Sequence, residues 1–149
     1  MFSPVIGSRY FLSVVLCALV GAGASGIALQ HHYRRDGSSF CNFGMTFNCD
    51  VVNRSSYSQV QGIPVALAGL IAYGVMIALA MFQRDKAETP ALLLLLSGTG
   101  LLFSLYLTYV EAVVLRTWCI LCLTSLFSIA LIAMFSALCV HGDLRGARS

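Results

Sequence analysis

Charged side chains are missing from four long stretches of the chain: Tyr10 to Tyr33, Ser55 to Gln83, Thr89 to Val110, and Thr117 to Gly142. Each exceeds the roughly 20 residues a helix needs to cross about 30 Å of hydrocarbon. Backbone N–H and C=O groups find no water in lipid and must bond within the segment, so each stretch reads as a spanning helix. The expected spans are 10–29, 63–83, 91–111 and 119–140. Together they predict an all-α membrane protein, a four-helix bundle with a long cysteine-bearing loop between helices 1 and 2. Gly62-Ile63-Pro64 should open the second span with Pro64 in its first turn, where a missing N–H costs nothing. Ala-rich runs and Gly21, Gly23, Gly26, Gly69, Gly74, Gly98 and Gly100 supply small residues for close helix packing. Arg9 ahead of the first run and Ala22-Gly23-Ala24 within it resemble a cleavable signal. The run continues to Leu29, however, longer than a usual signal core, so the helix is expected to stay.

Composition agrees with this reading. Only 10% of the 149 residues are charged and 58% are hydrophobic, against about 25% charged in an average soluble domain. These values exclude a disordered chain and an ordinary soluble enzyme. A net charge of +3, with its residues scattered, forms no basic stripe and gives no nucleic-acid surface. One integral membrane domain over residues 1–149 is expected, with the lipid bilayer as its solvent.

The basic residues orient the bundle. Arg9, Arg84, Lys86, Arg145 and Arg148 flank one side, at about twice the density of Arg34, Arg35, Arg54 and Arg116 on the other. Both termini are therefore expected in the cytoplasm. Three connections are short or terminal, but residues 30–62 are too long for a mere turn. With Phe40, Phe43, Phe47 and Tyr57 among polar residues, that segment should lie at the interface and roof the bundle.

Six cysteines fall unevenly on this topology. Cys41 and Cys49 lie in the long loop, and Cys119 and Cys122 open the fourth helix on the same, non-cytoplasmic side, where disulfides persist. Cys17 and Cys139 lie elsewhere and read as small apolar residues. The spacing of Cys119 and Cys122 puts both on one helical face, close enough for thiol–disulfide exchange. Thr117 is a plausible N-cap, which would place Cys119 in the first turn, where the helix dipole and Arg116 favour a thiolate. Cys122, one turn deeper, faces the bilayer, within reach of a membrane-dissolved oxidant. Trp118 belongs to the interfacial aromatic belt. A disulfide between Cys41 and Cys49 would close only a short ring, contributing about 2–3 kcal/mol. That is a poor brace, and a pair that swings between a soluble dithiol and the membrane CxxC suits it better. Two static disulfides, or a Cys₄ zinc site with His31 and His32 nearby, remain open on the residues alone. The bland readings of the others are that His31 and His32 solvate a helix end and that Glu111 sits at the outer interface. A transporter is disfavoured because the spans hold essentially no ionisable residue well inside.

The order Cys41-x₇-Cys49, Asp50-Val51-Val52, Ser55, Gly62-Ile63-Pro64, then Cys119-x-x-Cys122 on the last helix resembles the vitamin K epoxide reductase (VKOR) family, especially its bacterial members. The bacterial DsbB-type oxidases share the chemistry, but in them the CxxC precedes the shuttle pair. The resemblance implies a four-helix bundle around a quinone (menaquinone, ubiquinone or a vitamin K type). It implies Cys119 and Cys122 as the active-site pair, and Cys41 and Cys49 as the pair that shuttles electrons to it. Ser55 matches a serine beside the quinone pocket. The asparagine and tyrosine that hydrogen-bond the naphthoquinone in animal members fall at Val65 and Leu126 here, against a dedicated epoxide reductase. Some bacterial members carry a fused thioredoxin-like domain. The sequence ends at Ser149, so a separate thioredoxin-fold (DsbA-like) partner is expected. The function so implied is a quinone-dependent thiol–disulfide oxidoreductase supporting disulfide formation, with no metal. The alternative is a non-enzymatic membrane protein stapled by disulfides or zinc.

Overall fold

A computed structural model describes residues 4–34 and 41–146. Arg35, Phe40 and Arg148 lie outside the described residues. Four helices are long and apolar enough to span a membrane. They are α1 (Pro4–Tyr33), α3 (Val65–Phe82), α4 (Thr89–Tyr109, continued by a π-turn Val110–Leu115) and α5 (Ile120–Gly146). A short helix, α2 (Cys49–Asn53), lies in the loop after α1. All four spans fall where the charge gaps place them. The helices run a few residues past several expected ends, because in the interfacial zone a helix continues until its caps stop it.

The entry to α3 differs from expectation. Gly62-Ile63-Pro64 is not helical. Gln59-Val60 and Ile63-Pro64 form a two-residue antiparallel pair, β1 and β2, with Gln59 opposite Pro64. Gln61 and Gly62 connect them at φ 54° and 82°. Positive φ at both central positions is the tight hairpin geometry whose twist matches the strands, and glycine adopts it without strain. Pro64 sits at the N-cap, one residue before the helix.

Helix α1 packs on both α3 and α5, and α5 packs on α4. The core between them is built from Val14, Ala18, Tyr73, Met76, Ala80, Leu93, Ile129 and Ile132. In lipid no water is gained by hiding apolar area, so contact fit holds helices together, and small residues set the fit. Gly21 is the clearest case. A Cβ there would lie 2.2 Å from the Tyr73 ring. The tyrosine thereby crosses to α5, where its hydroxyl donates to the Ser125 carbonyl at 2.8 Å. Gly23, two residues on, meets nothing within 4 Å.

Gly21→Ala should therefore push Tyr73 off this position. We expect a loss of about 1–3 kcal/mol from overpacking, read as a lower thermal unfolding midpoint in detergent. Gly23→Ala on the same helix should leave the midpoint unchanged or slightly higher. Equal midpoints for the two variants would show that the Gly21 contact does not constrain the bundle.

Candidate functional site

The loop after α1 is docked at the outer end of α5. Cys41 and Cys49 form a disulfide that closes a ring turning at Gly44, φ 71°. The Phe43 N–H donates to the Phe47 carbonyl at 2.9 Å inside the ring. The ring then pairs with the residue before Cys119. Trp118 N–H donates to the Thr46 carbonyl at 2.9 Å, and Asn48 N–H donates to the Trp118 carbonyl at 3.1 Å. Asn48 also caps α2, its side chain accepting from Val51 N–H at 3.1 Å. Cys41 and Cys49 are both buried, 2% and 0% exposed. The ring's tip, Phe43 and Met45, faces outward.

Two histidines, expected only to solvate the end of α1, hold the roof instead. His31 Nδ1 lies 3.5 Å from Asp50 Oδ1. His32 Nδ1 lies 2.6 Å from the Asn53 carbonyl, and its Nε2 lies 3.0 Å from the Gln59 amide nitrogen. A carbonyl only accepts, so His32 Nδ1 donates to Asn53, and the ring's other nitrogen meets the Gln59 amide. Both nitrogens of His32 and Nδ1 of His31 are engaged in the roof, and among the described residues neither histidine groups with the cysteines.

Docking brings the cysteines into sequence. The sulfurs of Cys41, Cys49 and Cys119 lie within 4.8 Å of one another, and so do Cys119 Sγ, Cys122 Sγ and a Glu111 carboxyl oxygen. Cys119 belongs to both groups. The grouping is two overlapping triads rather than four sulfurs around one point, and two of the sulfurs are bonded to each other, which does not suit a Cys₄ zinc centre. Cys17 packs against the core around Met76, and Cys139 is half-buried near the far end of α5.

The start of α5 differs from expectation in a way that matters chemically. The helix begins at Ile120, and the Cys119 carbonyl takes its first bond, from Leu123 N–H at 3.0 Å. Thr117 is not the cap; its hydroxyl donates to the Leu115 carbonyl. Cys119 occupies the capping position itself. The Cys122 thiol and the N–H groups of Cys122 and Leu121 donate toward its sulfur and hold the thiol below its ordinary range, against burial and the Glu111 charge. A capping site offers its free N–H groups to an anion, and here the anion is the thiolate. Arg116, expected to help, is exposed and takes no part.

Glu111 is the residue that sequence reasoning missed. It is 1% exposed, enclosed by the protein rather than presented at its surface. The π-turn Val110–Leu115 and the left-handed Arg116 wrap the chain around it, with Arg116 N–H and Thr117 N–H both on its backbone carbonyl. Its Oε2 accepts the Cys119 N–H at 3.1 Å. A single π-turn often marks a functional site, because it turns a side chain off the regular helical face.

Beside this triad lies a cavity of about 330 Å³ between α1, α3, α4 and α5, roofed by residues after Cys49. Cys122 and Glu111 line it, as do Ser55 and Val65. Ser55 donates its hydroxyl to the Val52 carbonyl at 2.8 Å, so it also closes the turn after α2. Leu126 is not among the lining residues. The face of α5 that looks inward carries Leu121, Cys122, Ser125 and Ile129, one residue out of phase with Leu126. Two buried polar atoms on lining residues, Asn53 Nδ2 and Glu111 Oε1, have no hydrogen-bond partner among the described residues.

A model of the vitamin K epoxide reductase family matches residues 12–137, most of the chain, including Cys41, Cys49, Cys119 and Cys122.

The Cys119 geometry has a measurable consequence. With Cys41 and Cys49 replaced by alanine, ultraviolet thiolate absorbance should show one thiol ionising below the usual cysteine value of about 8.5. Adding Cys122→Ala removes the donated S–H and should move that midpoint up. As pH falls through the lowered midpoint the thiolate is protonated, and its attack on disulfides should slow in step. An unchanged midpoint in Cys122→Ala would contradict the assignment.

Proposed function

The chain belongs to the vitamin K epoxide reductase family, a family of membrane thiol–disulfide oxidoreductases, and from that premise we propose that it reoxidises a thioredoxin-fold partner and delivers the electrons to a quinone. The observation that carries this reading is the order of the four sulfurs. The sulfurs of the loop disulfide lie within 4.8 Å of Cys119, Cys119 lies within 4.8 Å of Cys122, and Cys122 lines a cavity between the four spanning helices. The termini would face the cytoplasm of a bacterial cell, with the cysteines on the opposite side of its inner membrane.

The steps balance as successive disulfide exchanges. A partner thiolate attacks the Cys41–Cys49 disulfide at Cys41 and frees Cys49. The partner's second thiol then closes its own disulfide and releases Cys41. Cys49 attacks Cys119 of an oxidised Cys119–Cys122 pair and displaces Cys122, and Cys41 closes the loop disulfide again. The pairing described above, loop oxidised and Cys119 and Cys122 as thiols, is the product of this exchange. Because both loop sulfurs are buried, the ring must lift from Trp118 to meet a partner. The two backbone bonds that dock it are few enough to break and remake in each cycle.

The cavity suits a quinone. Its volume is at the lower end of ligand pockets, and its walls are mainly apolar, with few polar groups. Asn53 Nδ2 is a buried donor with no partner among the described residues, which matches a ring ketone, while Pro64, Val65, Ala72, Leu96 and Phe103 would enclose the ring. When bound, a quinone accepts two electrons and two protons. The protein's share is to set Cys122 at the cavity wall, keep water out and stabilise the Cys119 thiolate.

With purified protein, a quinone and a dithiol partner protein, quinone consumption should fall to background in Cys119→Ala and in Cys122→Ala. Cys41→Ala or Cys49→Ala should lose turnover with the partner but keep a fraction with dithiothreitol, which can reach the membrane pair directly. Full activity in either Cys119→Ala or Cys122→Ala would overturn the reading.

A further inference from the structure

Reducing a quinone moves protons as well as electrons, and the cysteine pair alone does not hold enough of them. With Cys119 as thiolate, the reduced pair carries one proton, on Cys122, whereas two must leave with the electron pair. A second proton store has to sit within reach of both the sulfurs and the cavity. Among the described residues that line the cavity, His32 has both ring nitrogens committed to the roof, the Tyr73 hydroxyl is bonded to Ser125, and Tyr57 lies exposed in the roof, outside the group formed by Cys119, Cys122 and Glu111. Glu111 is the remaining titratable group beside Cys122. One of its carboxyl oxygens holds the Cys119 N–H at 3.1 Å. The other is buried and without a partner among the described residues. Its carboxyl group and the sulfurs of Cys119 and Cys122 lie within 4.8 Å of one another. Glu88, at the opposite end of α4, and Asp50, on the outer roof, are not on this wall. A carboxylate in an apolar wall, with no cation paired to it among the described residues, costs free energy, and such a group in a cavity is a candidate functional residue.

We propose that Glu111 is the proton carrier between the cysteine pair and the electron acceptor in the cavity. This rests on the quinone reading above for the identity of the acceptor, but not for the proton traffic at the cysteines. When the loop dithiol reduces the Cys119–Cys122 disulfide, the two loop thiols lose two protons as their own disulfide forms. Cys122 takes one on its sulfur. Glu111 Oε1 takes the other, because Cys119 stays a thiolate. When the pair is reoxidised, the S–S bond re-forms, two electrons leave, and the protons of Cys122 and Glu111 leave with them through the cavity. Glu111 is then a carboxylate, ready for the next turn. Protonating Glu111 also avoids placing a carboxylate beside the Cys119 thiolate, two like charges within 4.8 Å in an apolar wall.

The test uses the full-length protein in detergent with Cys41 and Cys49 replaced by alanine, and no quinone. Proton uptake is counted as Cys119–Cys122 is reduced by a dithiol at a pH above the Cys119 midpoint, after correction for the dithiol's own protons. The native pair should take up two protons per disulfide, and Glu111→Gln one. An infrared carboxylic-acid band should appear on reduction in the native protein and be missing in Glu111→Gln. In turnover with quinone and all four cysteines present, Glu111→Gln should slow by about 10²–10⁴-fold, the range of a lost proton transfer. Part of the rate should return with added formate. Glu111→Asp should keep the second proton and the infrared band, which separates the carrier from a packing role if Glu111→Gln proves unstable. Two protons and an unchanged carboxyl band in Glu111→Gln, or one proton in the native protein, would overturn the proposal. Since the proton count needs no quinone, a failure to turn over quinone would sink the functional reading and leave this result standing.

Discussion

Trp118 gives its N–H to Thr46 and takes that of Asn48, and through these two bonds a loop and a membrane helix become one site. Without them the Cys41–Cys49 ring would be a small closed loop with no fixed relation to the bundle. With them its sulfurs rest within 4.8 Å of Cys119. The pairing is the kind a sheet edge makes, and it uses backbone groups at the end of a span that would otherwise need water or a cap. Docking therefore satisfies the backbone and assembles the chemistry in the same contact. It also buries both loop sulfurs, so a thiol from outside could reach them only where this contact opens.

Below that contact each layer passes the charge to an environment that can hold it. Cys119 sits where free helix N–H groups favour a thiolate. Cys122 sits one turn deeper on a wall where a neutral, apolar acceptor is the better guest. The roof over the cavity is fixed by His32 on the Asn53 carbonyl, with Ser58 donating to the same oxygen at 2.7 Å. The floor is set by the Gly21–Tyr73 fit, which carries the tyrosine hydroxyl to Ser125. Stability and function share these residues because in lipid the helices associate by fit and hydrogen bonding rather than by expulsion of water.

Much of this was legible in the sequence, for a physical reason. Lipid imposes a strict rule on charge and backbone, so gaps between charges located all four spans, and cysteine placement on that topology separated the four that meet at one end of the bundle from Cys17 and Cys139. What escaped lay where the backbone leaves regular geometry. Glu111 read as interfacial because a uniform helix puts it at the end of a span, but a π-turn and a left-handed Arg116 fold it inward. Thr117 looked like the cap because the helix start was placed too early, and Cys119 took that role. Pro64 left the helix because a two-residue hairpin precedes it. Leu126 misses the cavity because a single residue is a turn of about 100° on a helix, and Ser125 faces inward instead. The acidic residue inside an otherwise uncharged wall was the signal available: a carboxylate eight residues before Cys119 is costly in that place without a task.

The path from the loop to the membrane pair is tested most directly by trapping it. In a protein carrying Cys41→Ala and Cys122→Ala, Cys49 and Cys119 are left without their usual partners, while Cys17 and Cys139 remain as internal controls. Mass spectrometry of proteolytic fragments after mild oxidation should find Cys49 joined to Cys119 as the dominant disulfide. Cys49 and Cys119 both free, or either joined instead to Cys17 or Cys139, would contradict a relay that runs from the docked loop through Cys119.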